Sequence, residues 1–225
     1  MRTAVRLSLG LLLFILAFGM GCTRGPAPPP PVQTPPPPQV SDQPPGPDNA
    51  PGPAATARKA VLIIGHRDFR DEELEKPREA LLARGVEVTV ASSSLEPATG
   101  MLGATVKPDV LLTDVAADDY DAMVFIGGTG AKEYWDDPNA QQLAREAVRQ
   151  GKLLAAICLA PVTLARAGVL DGKRATVWPD QQGELRKAGG TYEGERVVVD
   201  GKLVTGSGPE AAQEFADALV KALTT

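Results

Sequence analysis

The feature that most constrains the fold is a series of short apolar runs that alternate with helix-like segments after residue 57. Four runs have the length and composition of strands, and they cover residues 60–64, 86–91, 122–126 and 153–157. Three of them are apolar throughout, which is typical of strands buried on both faces. Asp71–Arg84 begins with three acids and ends at Gly85, and Asp137-Pro138 opens a second segment that ends at Gln150-Gly151. Both patterns predict helices.

Repeated strand–helix units favour a mostly parallel sheet with helices on both faces, that is, a three-layer α/β domain over residues 58–225. Ligands of such sheets bind beyond the carboxyl ends of the strands. The predicted strands end at Gly65-His66, Gly127-Gly128 and Cys158. We therefore expect these three points to converge.

The remaining elements follow from turn and periodicity signals. Residues 101–115 resemble a β-arm, and residues 160–168 are helical. Asp200-Gly201 predicts a hairpin turn, and Ser207-Gly208-Pro209 opens a last helix. Pro77 lies inside the first helix and is expected to kink it.

The segment that precedes Arg58 has a different composition. Fourteen of the 21 prolines lie between Pro26 and Pro53, among few large apolar residues. Such a segment cannot bury enough surface to offset its ordering entropy, so residues 22–57 are predicted to be a disordered tether with polyproline character. A Pro-rich ligand for an aromatic groove is the alternative.

The amino terminus has the pattern of a secretory signal over residues 1–21. Arg2 and Arg6 precede an apolar run over residues 7–21, which is shorter than a membrane-spanning helix requires. The ending Gly19-Met20-Gly21-Cys22 resembles the lipobox of bacterial lipoproteins, although an aliphatic residue is usual where Gly19 stands. That resemblance implies a lipid on Cys22 and, with Thr23 next, an outer-membrane protein facing the periplasm. An uncleaved anchor is the alternative.

Composition excludes several classes of function. The net charge is −5 and no block of Lys or Arg occurs, so nucleic-acid binding has no electrostatic support. One histidine and two cysteines exclude multi-His and Cys-rich zinc sites and a disulfide framework. We expect no metal and no cofactor.

Cys158 is the first candidate for chemistry. It follows an apolar strand and precedes a helix, where free N–H groups stabilise a thiolate. An inert core cysteine is the alternative.

Other candidates lie at the same predicted crevice. Glu73 either serves the helix dipole or, beside Cys158, keeps a raised pKa and acts as a proton donor. Glycines after a buried strand let backbone approach a ligand, so Gly128 N–H and Leu159 N–H are candidate oxyanion donors. His66 is either a solvent-facing residue or the base of a Cys–His pair. Trp135 and Trp178 are expected to pack or to form walls.

These residues, in this order, resemble the PfpI family of the class I glutamine amidotransferase-like superfamily, which includes the Parkinsonism-associated deglycase. The resemblance covers essentially residues 59–223. The motifs that carry it are Ala156-Ile157-Cys158-Leu159-Ala160-Pro161, Phe125-Ile126-Gly127-Gly128, Phe69-Arg70-Asp71-Glu72-Glu73-Leu74 with Pro77, Ala175-Thr176-Val177-Trp178-Pro179 and Val199-Asp200-Gly201.

The resemblance implies a flavodoxin-like sandwich, usually dimeric, in which Cys158 is reactive, Glu73 is its partner, and Gly128 and Leu159 are backbone donors. The sequence departs from the family pattern at two positions. Leu159 stands where peptidase-type members carry a histidine, and Trp178 stands where deglycase-type members carry one. The sequence leaves open whether the chain is an enzyme. The first hypothesis is chemistry on small reactive carbonyl or thiol-reactive species, the second is an oxidation sensor or protective chaperone that uses Cys158, and the third is a cysteine peptidase.

Overall fold

The computed structural model describes residues 57–224, which form one α/β domain. Its strands are β1 (Lys59–Ile63), β2 (Arg67–Phe69), β3 (Glu87–Ser92), β4 (Ala98–Gly100), β5 (Thr105–Val106), β6 (Val110–Leu111), β7 (Ala122–Phe125), β8 (Leu153–Ile157), β9 (Arg174–Ala175), β10 (Thr191–Tyr192), β11 (Val197–Asp200) and β12 (Leu203–Gly206). Its α-helices are α1 (Asp71–Leu82), α2 (Pro138–Arg149), α3 (Pro161–Arg166), α4 (Gln182–Lys187) and α5 (Ala212–Thr224).

A seven-stranded sheet lies at the centre, in the order β11-β12-β8-β7-β1-β3-β6. Every neighbouring pair in it is parallel except the β11–β12 hairpin. The chain steps one way from β1 to β3 and the other way from β7 to β8. Because such crossovers are right-handed, α1 and α2 cover opposite faces of the sheet. This is the three-layer, mostly parallel flavodoxin-like fold that the sequence predicted.

Local signals act as expected at several elements. The Asp137 side chain caps α2 by accepting from the Ala140 N–H at 2.8 Å. The helix α5 buries Phe215, Leu219 and Leu223. Helix α1 continues through Pro77 as a single element, and the kink expected there stays a prediction. The strands β1, β7 and β8 are almost entirely buried and form the core.

The predicted β-arm over residues 101–115 is wrong as one element. Its place is taken by β5, β6 and a 3-10 turn at Leu112–Asp114. The strand β5 pairs with β4, which pairs with β2 in a small second sheet, whereas β6 joins the edge of the main sheet. The strands of this region have only two or three residues, too few for a periodic pattern.

The predicted signal segment, Cys22 and nearly all of the predicted tether lie outside the described residues. Within residues 57–224, no helix has both the length and the hydrophobicity that crossing a membrane requires.

Candidate functional site

Cys158 occupies a sharp turn between β8 and α3. Its φ angle is +62°. This left-handed conformation costs a non-glycine residue on the order of 1–3 kcal/mol. Two backbone hydrogen bonds hold it there, because its N–H donates to Gly206 O and its carbonyl accepts from Trp178 N–H, each at 2.9 Å. The turn projects Cys158 from the carboxyl end of the central sheet, and the residue is 7% exposed.

Glu73 is fully buried, although it lies in the first turn of α1. Its Oε2 accepts the Gly127 N–H at 3.1 Å, whereas Oε1 makes no hydrogen bond of normal geometry among the described residues. Loss of water raises the pKa of Glu73 to about 8, against the lowering effects of the Cys158 thiol and the Gly127 N–H. This carboxyl is therefore mostly neutral at pH 7, as the buried alternative for Glu73 predicted.

Gly127 lies directly against both Glu73 and Cys158. A Cβ at this position would lie 2.5 Å from Cys158 Cβ and 2.5 Å from Glu73 Oε2, so only glycine lets the two side chains share this space. Gly128, at φ +91°, lies just as closely against the backbone between Asp68 and Arg70. Both glycines therefore allow close contact with other residues of the same chain.

The expectation of a thiolate stabilised by a helix amino terminus meets an opposing effect. Burial, followed by the negative charge of Glu73, raises the pKa of Cys158 to about 12. The N–H groups of Gly128 and Leu159 act in the opposite direction, since both bond the sulfur and lower its pKa. A neutral Glu73 removes its own raising effect, so the two groups ionise as a coupled pair.

A small cavity of about 240 Å³ opens over the cysteine. Its walls are mostly apolar, and the residues that form them are Arg70, Met101, Gly128, Thr129, Cys158, Leu159, Trp178 and Pro209. The Trp178 side chain is the wall that the sequence predicted, and it is 40% exposed. The volume lies below the ~300–1,000 Å³ of typical ligand pockets, so it suits a small molecule.

His66 is not among the residues that line this cavity. Its backbone N–H donates to Glu133 Oε1 at 3.2 Å, and its Nδ1 is buried without a hydrogen-bond partner in the described chain. The structure therefore brings Cys158, Glu73 and the two glycines together and leaves His66 out of the cavity wall.

Two contributions escaped the sequence reasoning. Arg70, one residue before α1, lines the cavity, and its guanidinium bonds Glu72 through Nε at 2.8 Å and Nη2 at 3.0 Å. Trp135 Nε1 donates to Leu159 O at 3.0 Å, and the Arg166 guanidinium lies 5.1 Å from the Trp135 ring. The acidic run beside Arg70 was a signal for its pairing, but nothing local indicates that Trp135 supports the Leu159 peptide.

A flavodoxin-like sheet with a cysteine on a strained strand–helix turn, next to a buried glutamate, defines a class of cysteine-bearing α/β proteins. Residues 58–222 match the model of the DJ-1/PfpI family, and the chain belongs to this family.

Two relatives of this chain are named as a deglycase and a glyoxalase. It is 36% identical over 149 residues to Deglycase PYRAB04690 of Pyrococcus abyssi, covering 66% of this chain and 90% of that protein. It is 30% identical over 169 residues to the glutathione-independent glyoxalase DJR-1.2 of Caenorhabditis elegans, covering 75% and 90%.

Among solved structures, the ThiJ/PfpI domain protein from Brachyspira murdochii superposes with a TM-score of 0.73 at 30% identity. The match covers 75% of this chain and 97% of that one. This likeness confirms the predicted fold.

Proposed function

We propose that the domain acts on small reactive carbonyl compounds with Cys158 as its nucleophile, in the manner that the names deglycase and glyoxalase describe. The observation that carries this proposal is the Cys158–Glu73 pair around Gly127, in which Cys158 lines a small cavity and Glu73 is buried behind it. The named relatives support the same class of chemistry.

The chemistry needs one nucleophile and one group that moves protons. The Cys158 sulfur adds to the aldehyde carbon of a 2-oxoaldehyde, the thiol proton passes to the aldehyde oxygen, and a hemithioacetal forms. The hydrogen on that carbon leaves as a proton and returns on the adjacent carbon, while the hydroxyl proton moves to the neighbouring oxygen, which gives the thioester of a 2-hydroxy acid. Water then hydrolyses the thioester and frees the thiol, so one oxoaldehyde and one water yield one hydroxy acid.

Glu73 is the group that we assign to proton transfer. Among the described residues, those that line the cavity include no histidine. Leu159 and Trp178 stand at the two positions where the resemblance to the family implies one. A carboxyl with a pKa of about 8 is suited to both giving and taking a proton near neutral pH. The roles of Gly128 and Leu159 as donors to the developing oxyanion belong to this proposal.

The test is the release of lactate from methylglyoxal by the purified protein. We expect Cys158→Ala to abolish it and Glu73→Gln to lower kcat by about a hundredfold, in the usual range for a lost acid or base. Ser94→Ala is the matched control, since Ser94 lies outside the cavity lining. Equal rates for the wild-type protein and Cys158→Ala would contradict the proposal.

An oxidation sensor, or a protective chaperone controlled by the same thiol, is the second candidate. The Gly128 and Leu159 N–H groups bond the sulfur, and the neutral Glu73 carboxyl beside it is a donor for a sulfinate oxygen. Mass spectrometry of the peptide that carries residue 158, after mild peroxide, should show two added oxygens on Cys158 in the wild-type protein and none on the same peptide of Cys158→Ala. Absence of the added oxygens from wild type would exclude this function.

We also propose that the domain works at a bacterial envelope, held by lipid on Cys22, and that two or more copies associate. A cysteine peptidase is the third candidate, and the small cavity makes it the least suited.

A further inference from the structure

Arg70 is the one permanently charged side chain among the described residues that line the cysteine cavity, whose other walls are apolar or neutral apart from Cys158. Its side chain is 25% exposed, so it is partly shielded from solvent. Its charge lowers the pKa of Glu73, which means that the guanidinium lies within electrostatic reach of the carboxyl beside Cys158. A cation among the residues that line an apolar cavity bears on which substrates can bind there.

The geometry of the Arg70 pair leaves half of the guanidinium free. Glu72 takes the side-on edge, through Nε and Nη2. The end-on edge, formed by Nη1 and the second hydrogen of Nη2, has no hydrogen-bond partner among the described residues. A planar guanidinium, here called the fork, that is bound on one edge and free on the other can bind a second carboxylate through two parallel hydrogen bonds.

The position of this fork is fixed by backbone as well as by Glu72. Arg70 N–H donates to Gly127 O at 3.1 Å, which ties the start of α1 to the turn that carries Gly127. The same turn donates a hydrogen bond to Glu73, the partner of Cys158. The guanidinium is thus anchored to the framework that positions the reacting groups.

We propose that Arg70 is a substrate-binding residue that selects compounds with a carboxylate a few atoms from the carbon that Cys158 attacks. This inference rests on the proposed function and names its substrate class: carbonyl adducts or oxoaldehydes that carry a carboxylate. Glu72 is the positioning residue that orients the fork.

The experiment compares two alkylating reagents that differ in charge. Iodoacetate carries a carboxylate and iodoacetamide a neutral amide, and each loses iodide when the Cys158 sulfur bonds its methylene carbon. The rate at Cys158 is followed by peptide mass spectrometry on the full chain. The ratio of the iodoacetate rate to the iodoacetamide rate is the readout, so a general change in the reactivity of the thiol cancels.

We expect Arg70→Met to lower this ratio about tenfold and Arg70→Lys to lower it less, because lysine keeps the charge and loses the fork. Arg78→Met is the matched control, since Arg78 is an exposed residue of α1 outside the cavity lining and should leave the ratio unchanged. The same ratio in Arg70→Met and in the wild-type protein would overturn the inference. Alkylation requires no turnover, so this outcome is separate from failure of the proposed function.

A second measurement connects the inference to turnover. The hemithioacetals of methylglyoxal with N-acetylcysteine and with N-acetylcysteamine differ by one carboxylate. In each adduct the Cys158 sulfur replaces the small thiol on the hemithioacetal carbon, the small thiol leaves with the proton of Cys158, and the steps above then give lactate. We expect the wild-type protein to release lactate from the carboxylated adduct with the higher kcat/KM, and Arg70→Met to lose that preference. Turnover of neither adduct would contradict the proposed function, whereas equal turnover of both by the wild-type protein would contradict the role of Arg70.

Discussion

Glu73 shows how burial changes the protonation of one carboxyl group. A neutral carboxyl tolerates burial far better than a carboxylate does, and one N–H donor at Gly127 is insufficient to compensate the charged form. The folded protein therefore holds the proton of Glu73 at pH values where the unfolded chain has released it. The same property makes Glu73 available as a proton donor beside Cys158.

This difference predicts a pH dependence of stability. The pKa of Glu73 is about 8 in the folded protein, against the ordinary value of 4.5 that applies to the unfolded chain. The contribution of Glu73 to the free energy of unfolding is therefore fully present below pH 4.5 and declines as the pH rises to about 8. Within that window the slope from this group approaches about 1.4 kcal/mol per pH unit, the value that corresponds to one bound proton. Urea unfolding at pH 5, 6, 7 and 8 should show this decline in the wild-type protein and a flatter profile in Glu73→Gln. Glu75→Gln, an exposed neighbour in α1, is the control, and parallel profiles for all three proteins would refute the prediction.

Gly127 illustrates a constraint that sequence reasoning located but explained incompletely. The Gly-Gly pair after a buried strand indicated close approach of the backbone to something. The structure shows that Gly127 admits Cys158 and Glu73, and that Gly128 admits the Asp68–Arg70 backbone. A glycine in such a pattern indicates that there is no room for a Cβ atom at that position. Which residue lies against the glycine is known only from the fold.

At the scale of elements, the small sheet β2-β4-β5 shapes one side of the cavity. The Asp71 carboxylate, in the first turn of α1, accepts the Leu102 N–H and the Ala104 N–H, each at 2.8 Å. These bonds hold the turn between β4 and β5, and that turn carries Met101 into the cavity wall. The first turn of α1 thus supplies Asp71 for the wall and Glu73 for the cysteine.

We therefore expect Asp71→Ala to disturb the cavity wall more than the reacting groups. It removes both acceptors of the turn, which should cost about 1–2 kcal/mol in the free energy of unfolding. KM for a small carbonyl substrate should rise several-fold, with a smaller change in kcat. Urea unfolding and steady-state kinetics measure these effects, with Asp118→Asn, an exposed acid, as control. A fall in kcat at constant KM would show that Asp71 acts on the chemistry instead.

The two sides of the Cys158 turn are supported by elements that are distant in sequence. Gly206, at the end of β12, accepts from the Cys158 N–H, and Trp178 donates to the Cys158 carbonyl. Trp135, after β7, donates to the neighbouring Leu159 carbonyl. Such tertiary hydrogen bonds stabilise the positive φ angle of Cys158, which no local pattern around this residue predicts.

For the whole molecule, the parts that the sequence predicted are those with a long or repeated signal. The buried strands β1, β7 and β8, the capped helix α2 and the β11–β12 hairpin follow from periodicity, capping and turn chemistry. The approach of Gly127-Gly128 to Cys158 followed from the rule that parallel strands end at one edge of the sheet, whereas His66, which was expected at the same edge, does not line the cavity. Arg70 and Met101 reach the same cavity through very short strands, for which composition carries almost no signal.

The proposed lipid on Cys22 is a prediction about where the protein lies in the cell. The apolar run over residues 7–21 is too short to span a bilayer readily, so stable attachment would come from acyl chains on Cys22. In a bacterial host that processes lipoproteins, radiolabelled palmitate should enter the wild-type protein, which should sediment with membranes. Cys22→Ser should lose both the label and the membrane fraction. Cys158→Ser is the matched control and should retain both, since it changes the other cysteine of the chain. Palmitate on the Cys22→Ser protein, or none on the wild-type protein, would show that the segment before Cys22 has another role.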